Sequence, residues 1–377
     1  MDPIEYLKRI GFIINSRRPE WRALGRGMRP WHMATGWPDR GSPMYFMRFG
    51  WIAEEVNRSR AGGLRYELYR PWRDYDAVVF LKSMEHGCAE LVDKLRSTGR
   101  CAIFEANVDY YTRSEGCGLP SELAPDAAQR DKAIRMTSAA TAVLASSRRL
   151  AEVCKDWNGM VTWVPDNVPM HLVPSRASNS APTGVLQIWW SGMPSKTIDL
   201  LLIGDVLRRF GNRIRLNIVT TDIDSALKRM APEKAGRVRS LLAGVPHRLH
   251  AFKSIRDLLA LYSQGPGVII SPRFLDNAYN ASHSEWKISL GMACGLTAIA
   301  SPQPSYLDVA SRCEHPSAAV ICETEEQWVL AIENAFSSVD APDASESAQS
   351  AVRRHYSTGV VSQMHADAVR KAMKVTS

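Results

Sequence analysis

The sequence predicts an α/β chain made of two doubly wound parallel sheets in tandem, facing a central cleft. Three observations predict it. Short apolar, β-branched runs alternate with helix-patterned stretches, as in a parallel sheet covered by helices. The alternation breaks once, at residues 170–184, where MHLVPSRASNSAPTG has no periodicity and reads as a linker. The chain has 377 residues, and at about 150 residues per domain that length fits two or three domains.

The first series places strands at 10–14, 65–69, 77–81, 101–105, 141–145 and 161–164, with helices at 44–57, 88–97 and 147–157 among them. The second places strands at 185–190, 214–220, 247–252, 267–271, 297–300 and 318–321. Its helices fall at 197–210, 225–242, 254–263, 284–294 and 325–336, the last with Thr324 as N-cap. Residues 337–348 are rich in Asp, Ser, Ala and Pro and read as a mobile surface turn. These assignments give Rossmann-like domains at 1–172 and 185–357, a linker at 173–184, and a terminal helix within 358–377 that is expected to cross back onto the first domain.

Composition narrows the class. With 45% apolar and 23% charged residues the chain is ordinary globular material, which excludes disordered and collagenous classes. Its longest apolar runs, such as 77–81 and 328–332, fall far short of the roughly 20 residues of a membrane span. The start of the sequence lacks the apolar core and cleavage site of a signal peptide, so a cytoplasmic location is expected. Seven scattered cysteines with no C-x-x-C argue against a disulfide framework or a structural zinc. The net charge is +8, and half of it lies in residues 1–42, where eight basic side chains face four acidic ones. Such a patch suits nucleic acid, anionic lipid or a phosphorylated small molecule.

Residues 280–301, NASHSEWKISLGMACGLTAIAS, carry the most specific pattern. They resemble the donor-binding helix and following strand of GT-B glycosyltransferases, in particular the retaining family 4 type, through Asn280, Ser284, Lys287, Met292, Ala293, Gly295, Ala300 and Ser301. Other stretches agree in order: Ser-Gly-x-Pro-Ser-Lys at 191–196, Ala145-Ser146-Ser147, Val164-Pro165-Asp166-Asn167, and FEANVDYY at 104–111. The resemblance implies a GT-B fold, a nucleotide-sugar donor, a hydroxyl acceptor, retention of configuration, and no cofactor or metal.

The chemistry of the residues runs parallel to that resemblance. A helix N-terminus already carries about half a positive charge, so a lysine in its first turn is misplaced unless an anion sits there. Lys287 is such a lysine, and in the family the anion is the donor diphosphate. Lys196, beside Gly192 and Ser195, would approach the same diphosphate, and Ser284 opens the helix. Without an anion Lys287 would be a solvated charge packed on Trp286. Glu285 contacts the sugar or closes an S-x-x-E capping box with Ser282. His283 is a second phosphate donor if protonated, or simply an exposed loop histidine.

The sequence also departs from the family. Its two glutamates, eight positions apart, correspond to Ser282 and Leu290, and the basic residue usual before Lys196 is replaced by Met193 and Pro194. Ser195-Lys196-Thr197 echoes a P-loop, but Trp190 and Ser195 stand where that loop needs glycine. Asp222-Ile223-Asp224 reads as an N-cap and not as a metal motif.

On the acceptor side the strand ends supply Asn15, Arg17, Arg18, Lys82, Glu105, Asn107 and Asp109. The segment 16–42 alternates Arg with Trp and is either an acceptor-binding loop or a basic surface excursion. Glu105 and Asp109 would orient the acceptor hydroxyl as catalytic groups alongside Lys287, or else cap strand ends. The expected partners are a nucleotide sugar and a glycan, lipid-linked glycan or natural-product acceptor. An anionic or lipid-linked acceptor and peripheral contact with the inner membrane face both suit the basic patch. Nucleic acid is disfavoured, except in the alternative reading of a non-catalytic GT-B scaffold that binds nucleic acid or an anionic surface.

Overall fold

The computed structural model describes residues 7–14, 43–85, 87–112, 126–175, 184–338 and 342–376. Twelve strands are defined there, in two all-parallel sheets of six. The first comprises β1 (Lys8–Ile14), β2 (Leu64–Leu68), β3 (Ala77–Leu81), β4 (Cys101–Ala106), β5 (Ala142–Ala145) and β6 (Val161–Trp163), in the order β2-β1-β3-β4-β5-β6. The second comprises β7 (Leu186–Ser191), β8 (Ile214–Thr220), β9 (His247–Ala251), β10 (Val268–Ser271), β11 (Thr297–Ala300) and β12 (Ala319–Ile321), in the order β12-β11-β10-β7-β8-β9.

Each order has one point where the chain reverses its direction of travel across the sheet, and such switch points open a ligand crevice at the carboxyl ends of the strands. In the first sheet it lies between β1 and β3, and in the second between β7 and β10. Strands β3 and β4 are buried at every position, as parallel strands covered on both faces must be.

Apolar clusters line both faces of each sheet. The helix Thr358–Thr376 joins one of them, placing Val361, Ala366, Val369 and Met373 among Ile10, Phe12, Ile103 and Leu144 of the first sheet. The preceding helix, Pro342–His355, belongs to the second domain through Ala348 and Val352. The chain therefore crosses between sheets twice, and the two crossings are stitched together. Val168 N donates to Tyr356 O at 2.7 Å, Thr358 N to Val168 O at 3.1 Å, and the Thr358 hydroxyl to Asn167 Oδ1 at 2.8 Å.

Several elements depart from the sequence reading. The surface turn expected at 337–348 is helical from Pro342, a residue that suits a first helical turn. The helix expected at 225–242 is two, Ile223–Arg229 and Pro232–Gly244, because Pro232 has no N–H to continue the first; Asp222 caps the first as expected. The helix expected at 197–210 begins as a 3-10 segment, Pro194–Ile203. The stretch 44–57 contains a π-helical turn, Phe46–Gly50, ahead of the α-helix Trp51–Ser59, and this turn carries Arg48 inward. No helix among the described residues is long and apolar enough to cross a membrane.

Candidate functional site

The switch point of the second sheet gathers positive charge. At the end of β7, Gly192 is held between Val219 O, which accepts from its N–H at 3.2 Å, and the Thr220 hydroxyl, which donates to its carbonyl at 2.8 Å. A Cβ at this position would lie 2.8 Å from Lys287 Nζ and 3.0 Å from the Trp190 ring, so any side chain here would displace the lysine tip and crowd the indole. The following 3-10 segment carries Ser195 on its outer turn and turns Lys196 and Asp199 inward. Lys196, 3% exposed, donates to Asn280 Oδ1 at 2.6 Å and lies over the Tyr279 ring. From the end of β10 comes Arg273, whose Nη1 meets Asp199 at 3.1 Å and whose Nε has no partner among the described residues.

Lys287 stands in the first turn of the helix Trp286–Ala293. It is not the solvated charge packed on Trp286 that the alternative required. Its ammonium nitrogen is sealed from solvent, lies 4.8 Å from the centroid of Trp190, and has no hydrogen-bond partner among the described residues. Burial and the neighbouring Arg273 and Lys196 push its pKa well below the usual lysine range, with Asp199 opposing. Lys196, Arg273 and Lys287 thus meet with one carboxylate, Asp199, among them. A buried ammonium without an anion costs several kcal/mol. An anion at the helix end would offset that cost.

The loop leading into this helix is pinned from both sides. The Ser282–Glu285 capping box does not form: Ser282 closes the preceding short helix, Ala278–Ala281, and the next begins only at Trp286. The Ser282 hydroxyl donates instead to Asp109 Oδ2 at 3.3 Å, and the Ser284 hydroxyl donates to Asp166 Oδ2. His283 is not an exposed loop histidine. It is half-buried against Tyr279, with ring centroids 4.6 Å apart, and burial together with Arg273, Lys196, Lys287 and Lys82 pushes its pKa well below the usual value. That direction favours a neutral imidazole over a protonated phosphate donor.

Glu285 is buried with Oε1 unpartnered among the described residues. Burial, then the charge of Asp166, raises its pKa well above the usual carboxylate range. Burial raises the pKa of Asp166 as well, but Arg48 and Ser284 oppose the shift there, so Glu285 is the more readily protonated of the two. A carboxyl raised in the folded state contributes stability below its unfolded pKa, and that contribution is lost as pH rises through the folded value. Glu285→Gln is therefore expected to stabilise the protein by about 1 kcal/mol at neutral to alkaline pH and by little at pH 4. Thermal denaturation across that range checks it; an equal or opposite effect at both ends contradicts the assignment.

The first domain supplies the opposite wall. Lys82, at the end of β3, adopts a left-handed backbone conformation with φ 51° and lies 5.6 Å from the Tyr110 ring centroid. Both side-chain polar atoms of Asn107 are buried without a partner among the described residues. Asp109 is already engaged: Oδ1 accepts from the N–H groups of Tyr111 and Thr112, both at 2.9 Å, and Oδ2 from the Thr112 hydroxyl at 3.0 Å. Glu105 does not face a substrate. It is fully buried, accepts from Arg48 Nε at 2.5 Å, and lies 3.7 Å from His365 Nε2 of the C-terminal helix. Burial would raise its pKa, but the charge and hydrogen bond of Arg48, with His365 nearby, outweigh it and lower the pKa. The strand-end structural role fits Glu105, and the catalytic role does not. Asn15, Arg17 and Arg18 lie outside the described residues.

Arg273, Asp199 and Arg48 escaped the sequence reading. Arg273 lies two residues beyond the end of β10, but only the strand order makes that end a neighbour of Gly192.

No protein-family model matches the sequence, and no curated protein matches it. Solved structures do. HepE of Anabaena, in complex with UDP-glucose, aligns at TM-score 0.62 and 10% identity over 96% of this chain and 99% of its own. AviGT4, a glycosyltransferase involved in avilamycin A biosynthesis, aligns at 0.59 and 12% identity over 98% of both chains. Sucrose-phosphate synthase from Thermosynechococcus elongatus aligns at 0.59 and 12% identity over 80% of this chain and 74% of its own. The fold is of the GT-B type. In GT-B terms, the cation cluster lies at the carboxyl ends of the second sheet, and Lys82 and Asn107 lie just past the carboxyl ends of β3 and β4 of the first.

Proposed function

We propose that the chain is a glycosyltransferase that moves a sugar from a nucleotide-sugar donor to a hydroxyl acceptor, with the donor diphosphate seated among Lys287, Lys196 and Arg273. The observation that carries this reading is the sealed Lys287 ammonium, with no partner among the described residues, in the first turn of a helix and against a glycine that admits close approach. The likeness to structures solved with UDP and UDP-glucose supports the same class of ligand.

In this reading the acceptor oxygen bonds to the anomeric carbon as the bond from that carbon to the diphosphate oxygen breaks. The two events share one face of the sugar, so configuration is retained, and the acceptor proton leaves on the departing nucleoside diphosphate. Such a path depends on stabilising the leaving diphosphate more than on a strong base. Three cations and a helix N-terminus supply that stabilisation, and the reading assigns no metal to it. Gly192, Ser195 and Ser284 shape the donor side. Neutral His283 is suited to a hydroxyl of the sugar, and Asn107 and Lys82 to the acceptor, which is a glycan, lipid-linked glycan or natural product. Arg17 and Arg18 belong to the acceptor loop, so reversing their charge is expected to raise the acceptor KM and leave donor affinity unchanged. Equal effects on both substrates would count against that loop.

A thermal-shift panel of UDP-, GDP-, dTDP- and CMP-sugars tests the function. A donor present at a hundred times its Kd stabilises by about 2.7 kcal/mol, so one member is expected to raise Tm by several degrees and to release its nucleotide when acceptor is added. No shift with any of the four would overturn the reading.

A further inference from the structure

The loop from Ser282 to Trp286 belongs to the second domain, yet the first domain holds most of its side chains. Ser282 is wholly buried; its hydroxyl donates to Asp109, and its carbonyl accepts from the Ser147 hydroxyl at 2.7 Å. The Ser284 hydroxyl donates to Asp166, and Trp286 Nε1 donates to Asn167 O at 2.8 Å. Its own domain grips the backbone: Gln303 Nε2 and the Ser305 hydroxyl both donate to His283 O at 2.8 Å.

The two carboxylates are rigid anchors. Asp109 is fixed by two backbone N–H groups and the Thr112 hydroxyl, and Asp166 accepts from Arg48 Nη1 at 3.0 Å. Hydrogen bonds to charged groups are roughly twice as strong as neutral ones, so the short Ser284 contact specifies position, and the longer Ser282 contact at 3.3 Å adds to it.

We propose that Asp109 and Asp166 are positioning residues for the donor: by holding the hydroxyls of Ser282 and Ser284 they fix, from the first domain, the turn that sets Lys287 above Gly192. The proposal rests on the diphosphate reading above. It assigns donor affinity to contacts outside the donor domain.

The test is calorimetric titration of the full-length chain with inorganic pyrophosphate, comparing wild type with Ser284→Ala, Ser284→Thr and Ser282→Ala. Ser284→Ala is expected to bind more weakly by about tenfold or more, the scale of one hydrogen bond to a charged group; Ser282→Ala, whose contact with Asp109 is longer at 3.3 Å, is expected to weaken binding by less, and Ser284→Thr is expected to restore binding. A merely structural hydroxyl would lower Tm and leave affinity unchanged, and that result overturns the proposal while sparing the diphosphate reading. Wild type that fails to bind pyrophosphate overturns both. Should an alanine variant unfold, Ser284→Thr against Ser284→Val at matched Tm gives the same comparison. Equal affinities in that pair overturn the proposal.

Discussion

Lys287→Met is expected to weaken nucleoside-diphosphate binding and to lower kcat/KM by about a hundredfold or more, the scale of losing one preorganised charge on a leaving group. The same substitution is expected to raise the Tm of the unliganded protein. The ammonium is sealed over Trp190 with no partner among the described residues, so a methionine of similar shape removes a desolvated charge and keeps the packing. Opposite signs on stability and activity are the signature of a residue retained for a ligand. The pH dependence follows from the direction of the shift. A lysine whose pKa is depressed in the folded state costs stability at neutral pH, and that cost shrinks as pH rises from the folded value toward the unfolded one. Unliganded wild type is thus expected to gain stability toward alkaline pH relative to Lys287→Met. Binding of a diphosphate should draw a proton onto Lys287, so the apparent binding enthalpy of wild type at alkaline pH should vary with the ionisation heat of the buffer. A variant that loses stability and keeps affinity would assign Lys287 to packing.

The second large effect is expected at Arg48. Its guanidinium is wholly buried, donates to Glu105 at 2.5 Å and to Asp166 at 3.0 Å, and also meets the carbonyls of Val164 and Pro165 at 2.9 and 2.7 Å. Arg48→Met leaves two carboxylates buried without their cation, which costs about 3–5 kcal/mol. Denaturant titration should show that loss, and Arg48→Lys should recover little of it, because an ammonium cannot reproduce the forked geometry. Glu105→Gln should cost less, since the amide oxygen still accepts from Arg48. Near-neutral stability for Arg48→Met would mean that the buried network is dispensable.

The sheets were legible because buried parallel strands leave apolar runs that periodicity can find, as AVVFL of β3 does. The helix bearing Lys287 was legible in the stretch 284–294 ahead of the apolar run that becomes β11. Glu105 was misread because an acid near the end of a strand looks the same whether it faces the cleft or the covering helix. What decides is His365, some 260 residues later, on a helix whose return to the first sheet puts it 3.7 Å from Glu105. The S-x-x-E pattern at 282–285 misled for a local reason, since Ser282 already terminates Ala278–Ala281. Arg273 carries no local signal, and it joins Lys196 and Lys287 only through the adjacency of β7 and β10.

The central claim, a diphosphate seated among Lys196, Arg273 and Lys287, is tested most directly by calorimetry with matched nucleotides. UDP, GDP, dTDP and CDP are titrated beside their monophosphates, into wild type and into Lys287→Met. The predicted result is one diphosphate that binds wild type at least tenfold more tightly than its monophosphate, with the advantage lost in the variant. Equal affinity for mono- and diphosphate, or a preference that survives in Lys287→Met, would contradict it.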